Sequence, residues 1–345
     1  MELHFTRTNG PVDDSIDQLM GLVGSIQEPA IVREMILAAL KAGQENVDRA
    51  DLKLMNSTLK EMRFTAKVFG PYRPVRKVTV FGSARTRSDE TIYKMAKELG
   101  RKLAEADYMV ITGGGPGIMQ AVNEGAGSEH SFGVNIRLPF EQKANPVVDG
   151  NPRSITYKYF FNRKVAFLKE SDAVALFPGG FGTLDEAMET LTLVQTGKRA
   201  PLPLILLDSP GGTYWLSWVD FLKKELLVRQ YISGTDFDFF ELVDSADAAV
   251  EKIGRFYHRY HSMRYVDDQL VMRLTSEIPQ EEAAELKRRC SDILKPQGDL
   301  RLSKPLPEEA DEPEIAHLPR LVVDFNRQDL GRLRKLIDAI NGVKP

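Results

Sequence analysis

The chain has 345 residues, of which 42% are hydrophobic and 28% charged, a balance that permits a large buried core. At roughly 150 residues per domain that length suggests about two units. A formal net charge of −3 excludes a global basic field for collecting nucleic-acid phosphates. The lone cysteine, Cys290, excludes an internal disulfide and a cysteine zinc cluster, and a reducing compartment is the easier reading.

No run of ~18 apolar residues occurs, and the start of the chain lacks a basic end followed by an apolar stretch, so a cytoplasmic protein without a membrane partner is expected. In chain order, residues 1–75 form a helical N-terminal extension. Ile31, Met35, Ile36 and Leu40 recur at helical spacing, and so do Leu52, Met55, Leu59, Met62 and Ala66. Gly70-Pro71-Tyr72-Arg73-Pro74 closes the segment as a linker.

From Lys77 the rhythm changes to short β-rich runs alternating with helices. Strands are predicted at Lys77–Phe81, Tyr108–Thr112, Phe132–Ile136, Ala173–Phe177 and Leu202–Leu207. Helices are predicted at Asp89–Glu105, Ile118–Glu124, Phe161–Glu170, Leu184–Thr196 and Trp215–Glu225. A run such as Ala173-Val174-Ala175-Leu176-Phe177 is apolar on both faces, as a strand covered by helices on either side must be. The alternation predicts an α/β fold, a Rossmann-like doubly wound parallel sheet over residues 76–260, with ligands at the carboxyl ends of its strands.

Residues 261–345 read as a small C-terminal α/β module. Strands are expected at Met263–Leu274 and Leu321–Phe325, and helices at Gln280–Ile293 and Gln328–Ile340. The Pro- and Glu-rich stretch Lys304–Pro319 between them is expected to be a mobile loop.

Chemistry concentrates at the predicted strand ends. In Pro178-Gly179-Gly180-Phe181-Gly182-Thr183-Leu184-Asp185-Glu186 a buried strand runs into a glycine loop and then a helix. Such a junction can converge amides and a helix N-terminus on a phosphate. Thr183 can cap that helix or donate its hydroxyl, while a tight turn with an acidic helix start is the bland alternative. Gly113-Gly114-Gly115-Pro116-Gly117-Ile118-Met119 follows another strand. It fails the dinucleotide fingerprint, since Ile118 stands where the third glycine belongs, and it lacks the Lys-Ser/Thr of a P-loop. It is read as a second wall of the same site. Phe81-Gly82-Ser83-Ala84-Arg85 ends a third strand there, and Ser83 and Arg85 could reach phosphate. Phe160-Phe161-Asn162-Arg163-Lys164 places an arginine fork at a helix start, suited to ribose, phosphate or developing charge. His258 and His261 form a short His-x-x-His with no nearby acid or cysteine to complete a metal site.

The combination of Gly113–Met119, Arg163-Lys164 and Pro178–Glu186 strongly resembles the Lonely guy (LOG) family of nucleoside 5′-monophosphate phosphoribohydrolases, often mislabelled lysine decarboxylases. The likeness covers Lys77–Arg199 and extends towards Tyr260. Val78–Arg85 and Gly133–Asn145 look like its longer bacterial branch. The family pattern Pro-Gly-Gly-x-Gly-Thr-x-x-Glu is met at every fixed position. By that match Glu186 takes the catalytic carboxylate role and Arg163 the catalytic arginine role. Gly179, Gly180, Phe181, Gly182 and Thr183 would bind phosphate or ribose, joined by Ser83, Gly114, Gly115, Gly117 and Lys164. A methionine often stands three residues before the arginine, where this chain has Phe160. The resemblance implies hydrolysis of the N-glycosidic bond of an AMP-like or cytokinin-riboside monophosphate without metal or cofactor, by a homo-oligomer. Three alternatives are open to such a chain: a non-catalytic nucleotide sensor or carrier, a single-stranded DNA handler, and a pyridoxal-dependent lysine decarboxylase. The second lacks a basic–aromatic stripe, and the third lacks a motif that singles out Lys164 or Lys198.

Overall fold

Helical spacing in the first seventy residues becomes three helices, α1 (Pro11–Val23), α2 (Pro29–Gln44) and α3 (Arg49–Phe69). The computed structural model describes residues 7–45, 48–138 and 143–343, so part of the Gly133–Asn145 stretch lies outside the described residues. The chain divides into two compact units, residues 1–64 and 65–345. In the first, Arg33 of α2 forms a buried ion pair with Asp13 of α1, beside buried Ile16 and Leu37. Ile31, Met35 and Leu40, together with Leu52, Met55 and Leu59, stay exposed, so the spacing identified helices but not a buried face.

The second unit carries the alternation onward. It runs β1 (Lys77–Phe81), α4 (Thr91–Glu105), β2 (Met109–Thr112), α5 (Ile118–Ala126), β3 (Ser131–Ile136), β4 (Ser154–Tyr157) and α6 (Phe160–Lys169). Then follow β5 (Ala173–Leu176), α7 (Phe181–Gln195), β6 (Leu204–Leu207), α8 (Tyr214–Phe221), β7 (Phe240–Val243) and α9 (Ala246–Phe256). The strands form one seven-stranded sheet in the order β4-β3-β2-β1-β5-β6-β7, and every pairing is parallel. The doubly wound α/β class expected from the sequence is the one observed. β4 and β7 were not foreseen. They are the edge strands, only partly buried, and so lack the continuous apolar run that marks a central strand.

Alternation of side chains across the pleat splits the core into two layers. Val78, Val80, Val110, Ala173, Ala175, Ile205 and Leu207 pack with residues of α4, α5 and α9 on one face. Phe81, Ile111, Phe132, Val174, Leu176 and Leu206 pack on the other with Phe167 of α6, Ala187 of α7 and Trp215 of α8.

That second layer runs on without a break into the C-terminal residues. There β8 (Tyr260–Val266), β9 (Gln269–Leu274), α10 (Gln280–Arg289), β10 (Leu300–Ser303), β11 (Arg320–Val323) and α11 (Leu330–Gly342) build a four-stranded antiparallel sheet, β10-β11-β9-β8, with two helices. The expected break near residue 260 therefore has no counterpart in the division into compact units. Asn341 shows why: its carbonyl accepts from the amides of Arg259 and Tyr260, and its amide donates to Phe256. Met263–Leu274, read as one strand, is a hairpin that turns at Asp267-Asp268 with Asp267 at φ 49°. Lys304–Pro319, expected to be mobile, is tied to the sheet. The first of its two short 3-10 turns ends at Glu309, whose buried carboxylate accepts from Arg273 at 2.8 Å and from Arg320 at 2.9 Å. Composition predicts a mobile loop, but the partners that hold it come from strands β9 and β11.

Candidate functional site

The order of the large sheet reverses at one place. From β1 the chain steps outward through β2, β3 and β4, then returns to lay β5 on the other side of β1. Loops leaving the carboxyl ends of β1 and β5 must therefore part there and open a crevice. The β1 loop supplies Gly82, Ser83, Ala84 and Arg85, and the β5 loop supplies Gly179 to Glu186. A cleft of about 760 Å³ lies between them, with Met119, Phe160, Arg163, Phe167 and Tyr214 completing its walls. The Ser83 amide donates to the Pro178 carbonyl at 3.1 Å, so the two loops are held as one piece. The Ser83 hydroxyl accepts the Arg85 amide at 3.1 Å, which fixes that turn.

α7 starts at Phe181, three residues before the expected Leu184, because Gly180 takes the cap position. Thr183 thus lies within the first turn and does not cap the helix; its buried hydroxyl packs under Gly179, where an added Cβ would meet it at 2.2 Å. The Thr183 amide already turns back to the Gly180 carbonyl at 3.1 Å, while the start of α7 carries the positive end of the helix dipole. Gly180, Phe181, Gly182 and Thr183 all line the cleft, so this partial positive charge is offered to it.

One turn further on, α7 presents Glu186. Only 8% of the residue is exposed, and its Oε2 accepts no hydrogen bond among the described residues. Burial pushes the carboxyl from its ordinary 4.5 up to about 7, a rise resisted by the Lys164 ammonium and Arg163 and reinforced by Glu189 and Asp185. Lys164 was expected to contact substrate. Its place is different: its ammonium is salt-bridged to Glu189 and, at 2.9 Å, to Asp185, and stands 3.9 Å from Glu186 Oε2. Burial disfavours that charge, yet the hydrogen bonds that Lys164 donates to Glu189 and Asp185 prevail and hold it above its ordinary value.

Arg163 comes from the first turn of α6 and divides the cleft from a second lobe of about 470 Å³, lined by Gly113 to Gly115, Asn135, Arg137, Thr156 and neighbours. Its Nε donates to Val134 O at 2.8 Å, and its guanidinium lies 5.0 Å over the Phe167 ring. Burial pulls it down to about 10, against Glu186 and Tyr157, so it remains charged at neutral pH.

The Gly113–Gly117 stretch forms a wall rather than a second amide cradle. The Gly114 amide already donates to Thr112 Oγ1, and the Gly114 and Gly115 carbonyls accept from Asn145. Gly114, at φ +70°, leaves no room for a Cβ, which would fall 1.9 Å from Asn135 Oδ1. Gly117, also expected to touch ligand, instead makes the turn into α5 at φ +68° against the Ser83 carbonyl. His261 lies in β8 beside Arg76, Arg273 and Arg320, which with burial lower its proton affinity. Such a surrounding repels a cation. Tyr214 and Thr156 line the two lobes without a sequence signal that points to them.

Fold and site define a doubly wound α/β protein whose switch-point cleft holds a half-buried arginine and a buried carboxylate, one oxygen of which accepts no hydrogen bond among the described residues. Residues 118–253 match a family model described as "Possible lysine decarboxylase". The cytokinin riboside 5′-monophosphate phosphoribohydrolase LOG of Oryza sativa subsp. japonica is 30% identical over 207 residues, covering 56% of this chain and 79% of that protein. The Arabidopsis thaliana enzyme of the same description, LOG3, is 27% identical, covering 52% of this chain and 83% of its own. Among solved structures, the molybdenum cofactor binding protein from Rippkaea orientalis is 22% identical, with a TM-score of 0.36, covering 51% of this chain and 91% of its own. This chain belongs to the LOG family.

Proposed function

We propose that the cleft hydrolyses the N-glycosidic bond of nucleoside 5′-monophosphates, AMP-like substrates included, to give a free base and ribose 5-phosphate. The observation that carries this reading is the meeting, in one cleft, of a buried carboxylate whose Oε2 accepts no hydrogen bond among the described residues with the glycine-rich N-terminus of α7. The phosphate sits on Gly180–Thr183, which turns remote binding energy into positioning of the sugar. As the C1′–N bond breaks, positive charge builds on the ribose ring, and the Glu186 carboxylate stabilises it. Water adds its oxygen to C1′ and gives a proton to Glu186, the departing base nitrogen takes one from solvent, and Glu186 returns its own to solvent afterwards, which regenerates the carboxylate. Arg163 orients the ribose beside that carboxylate. Names of the relatives support the reaction class.

The description of the family as a decarboxylase gains no support from Lys164. A Schiff-base lysine must shed its proton, whereas Asp185 and Glu189 hold this one charged. A homo-oligomer is part of the proposal, because Phe160, Phe161 and Val165 of α6 are exposed and Phe181 of α7 is 93% exposed beside the cleft. A single-chain mass by sedimentation velocity at tens of micromolar would remove that element.

The deciding experiment incubates the protein with a panel of nucleoside monophosphates and quantifies base and ribose 5-phosphate by liquid chromatography. A tight AMP complex that releases no base over hours would replace the enzyme by a binding protein. The carboxylate form does the work, so kcat should rise with pH through about 7, where Glu186 ionises. A flat profile between pH 5.5 and 8.5 would contradict the assignment.

A further inference from the structure

We infer that Tyr214 is the positioning residue that keeps the phosphate loop in its anion-binding orientation. This rests on the proposed use of Gly180–Thr183 as the phosphate site. The Tyr214 hydroxyl donates to the Gly179 carbonyl at 2.7 Å. The peptide is planar and trans, so anchoring that oxygen on Tyr214 turns the Gly180 N–H the opposite way, away from the tyrosine. The Gly179–Gly180 link joins two glycines, and a peptide between two residues without Cβ atoms flips at little steric expense. A flip would bring a carbonyl oxygen where the phosphate needs an amide. The hydrogen bond that opposes it comes from α8, 35 residues further on.

Tyr214 is itself firmly held. Its amide donates to Asp208 Oδ2 at 3.0 Å. Its ring packs edge-on against Trp215 at 4.8 Å. The indole of Trp215 donates to both Leu176 O and Leu207 O at 3.0 Å, which ties the start of α8 to the ends of β5 and β6. The hydroxyl is thus delivered from rigid elements to a loop that is flexible by composition. Tyr214 also lines the cleft, and it is not among the residues that line the second lobe.

The test compares AMP with adenosine by calorimetric titration in the Glu186→Gln background, where turnover does not interfere. The ratio of the two dissociation constants isolates what the phosphate adds. Tyr214→Phe keeps the ring and its packing and should shrink that ratio about tenfold, the equivalent of ~1.4 kcal/mol. Adenosine affinity should stay within about twofold. An unchanged ratio overturns the inference, whatever happens to either affinity or to thermal stability. So does equal weakening of both ligands, which would make Tyr214 a support of the whole cleft. Base release by the otherwise unmodified protein is scored separately. If it is absent while the ratio falls, the hydrolase reading fails and the role of Tyr214 stands; the reverse pattern separates them the other way.

Discussion

Glu186→Gln should lower kcat for nucleoside monophosphate hydrolysis by about 10³-fold, within the ~10²–10⁴ range typical of a positioned acid–base group. The substitution is nearly isosteric and leaves the glycine loop, Arg163 and Tyr214 in place, so affinity for the nucleotide should change little. Stability moves in the opposite direction. The folded protein holds the Glu186 proton up to about 7 rather than 4.5, so it binds that proton more tightly than the unfolded chain does. Ionising Glu186 therefore destabilises the fold progressively as pH rises from about 4.5 through about 7. The glutamine variant carries no such charge. It should melt higher than the parent at pH 8 and close to it at pH 4. Loss of activity with a gain in thermal midpoint above pH 7 is the signature of a carboxylate kept buried for chemistry. Parent-like turnover would remove Glu186 from the mechanism.

Glu309→Ala should destabilise the second unit by about 3–5 kcal/mol, the usual penalty for removing one partner of a buried ion pair. Glu309 is 3% exposed and bridges Arg273 of β9 and Arg320 of β11, themselves 3% and 1% exposed. Arg273 keeps a second acid, Glu312, and the Arg320 guanidinium still donates to the carbonyls of Ile315 and Leu318. Neither bond neutralises the charge left on Arg320, one of whose nitrogens already has no partner among the described residues. Chemical denaturation at pH 7 reads the loss as a shift in midpoint. A change below ~1 kcal/mol would mean that water reaches the pair and that its burial is not what anchors residues 304–319. Substituting Glu312, which is partly exposed, should cost far less.

The reach of the sequence follows from how local each feature is. Val78, Val80, Ala173 and Ala175 belong to central strands covered on both faces, and a continuous apolar run announces such a strand by itself. Pro178 to Glu186 is one contiguous segment whose loop, helix start and carboxylate share a single turn geometry, so its outline was legible before any contact was known. The edge strands Ser154–Tyr157 and Phe240–Val243 escaped because half-buried strands need not be apolar throughout. The exposed Ile31, Met35 and Leu40 show the converse: periodicity specifies a helix without specifying what covers it.

The sequence by itself determined the doubly wound class, the glycine loop, and the identities of Arg163 and Glu186. Each depends on residue type, on spacing within a few positions, or on a motif. Only the tertiary structure decided that Lys164 is salt-bridged to Asp185 and Glu189 beside Glu186, that the Gly114 amide and the Gly114 and Gly115 carbonyls are already hydrogen-bonded, and that Glu309 pins an acidic loop. Likewise only the fold brings the Tyr214 hydroxyl to the Gly179 carbonyl. The physical reason is common to all four. Burial and hydrogen-bond partners are set by residues tens of positions apart, and a side chain's charge, freedom and use follow from those partners rather than from its neighbours in the chain.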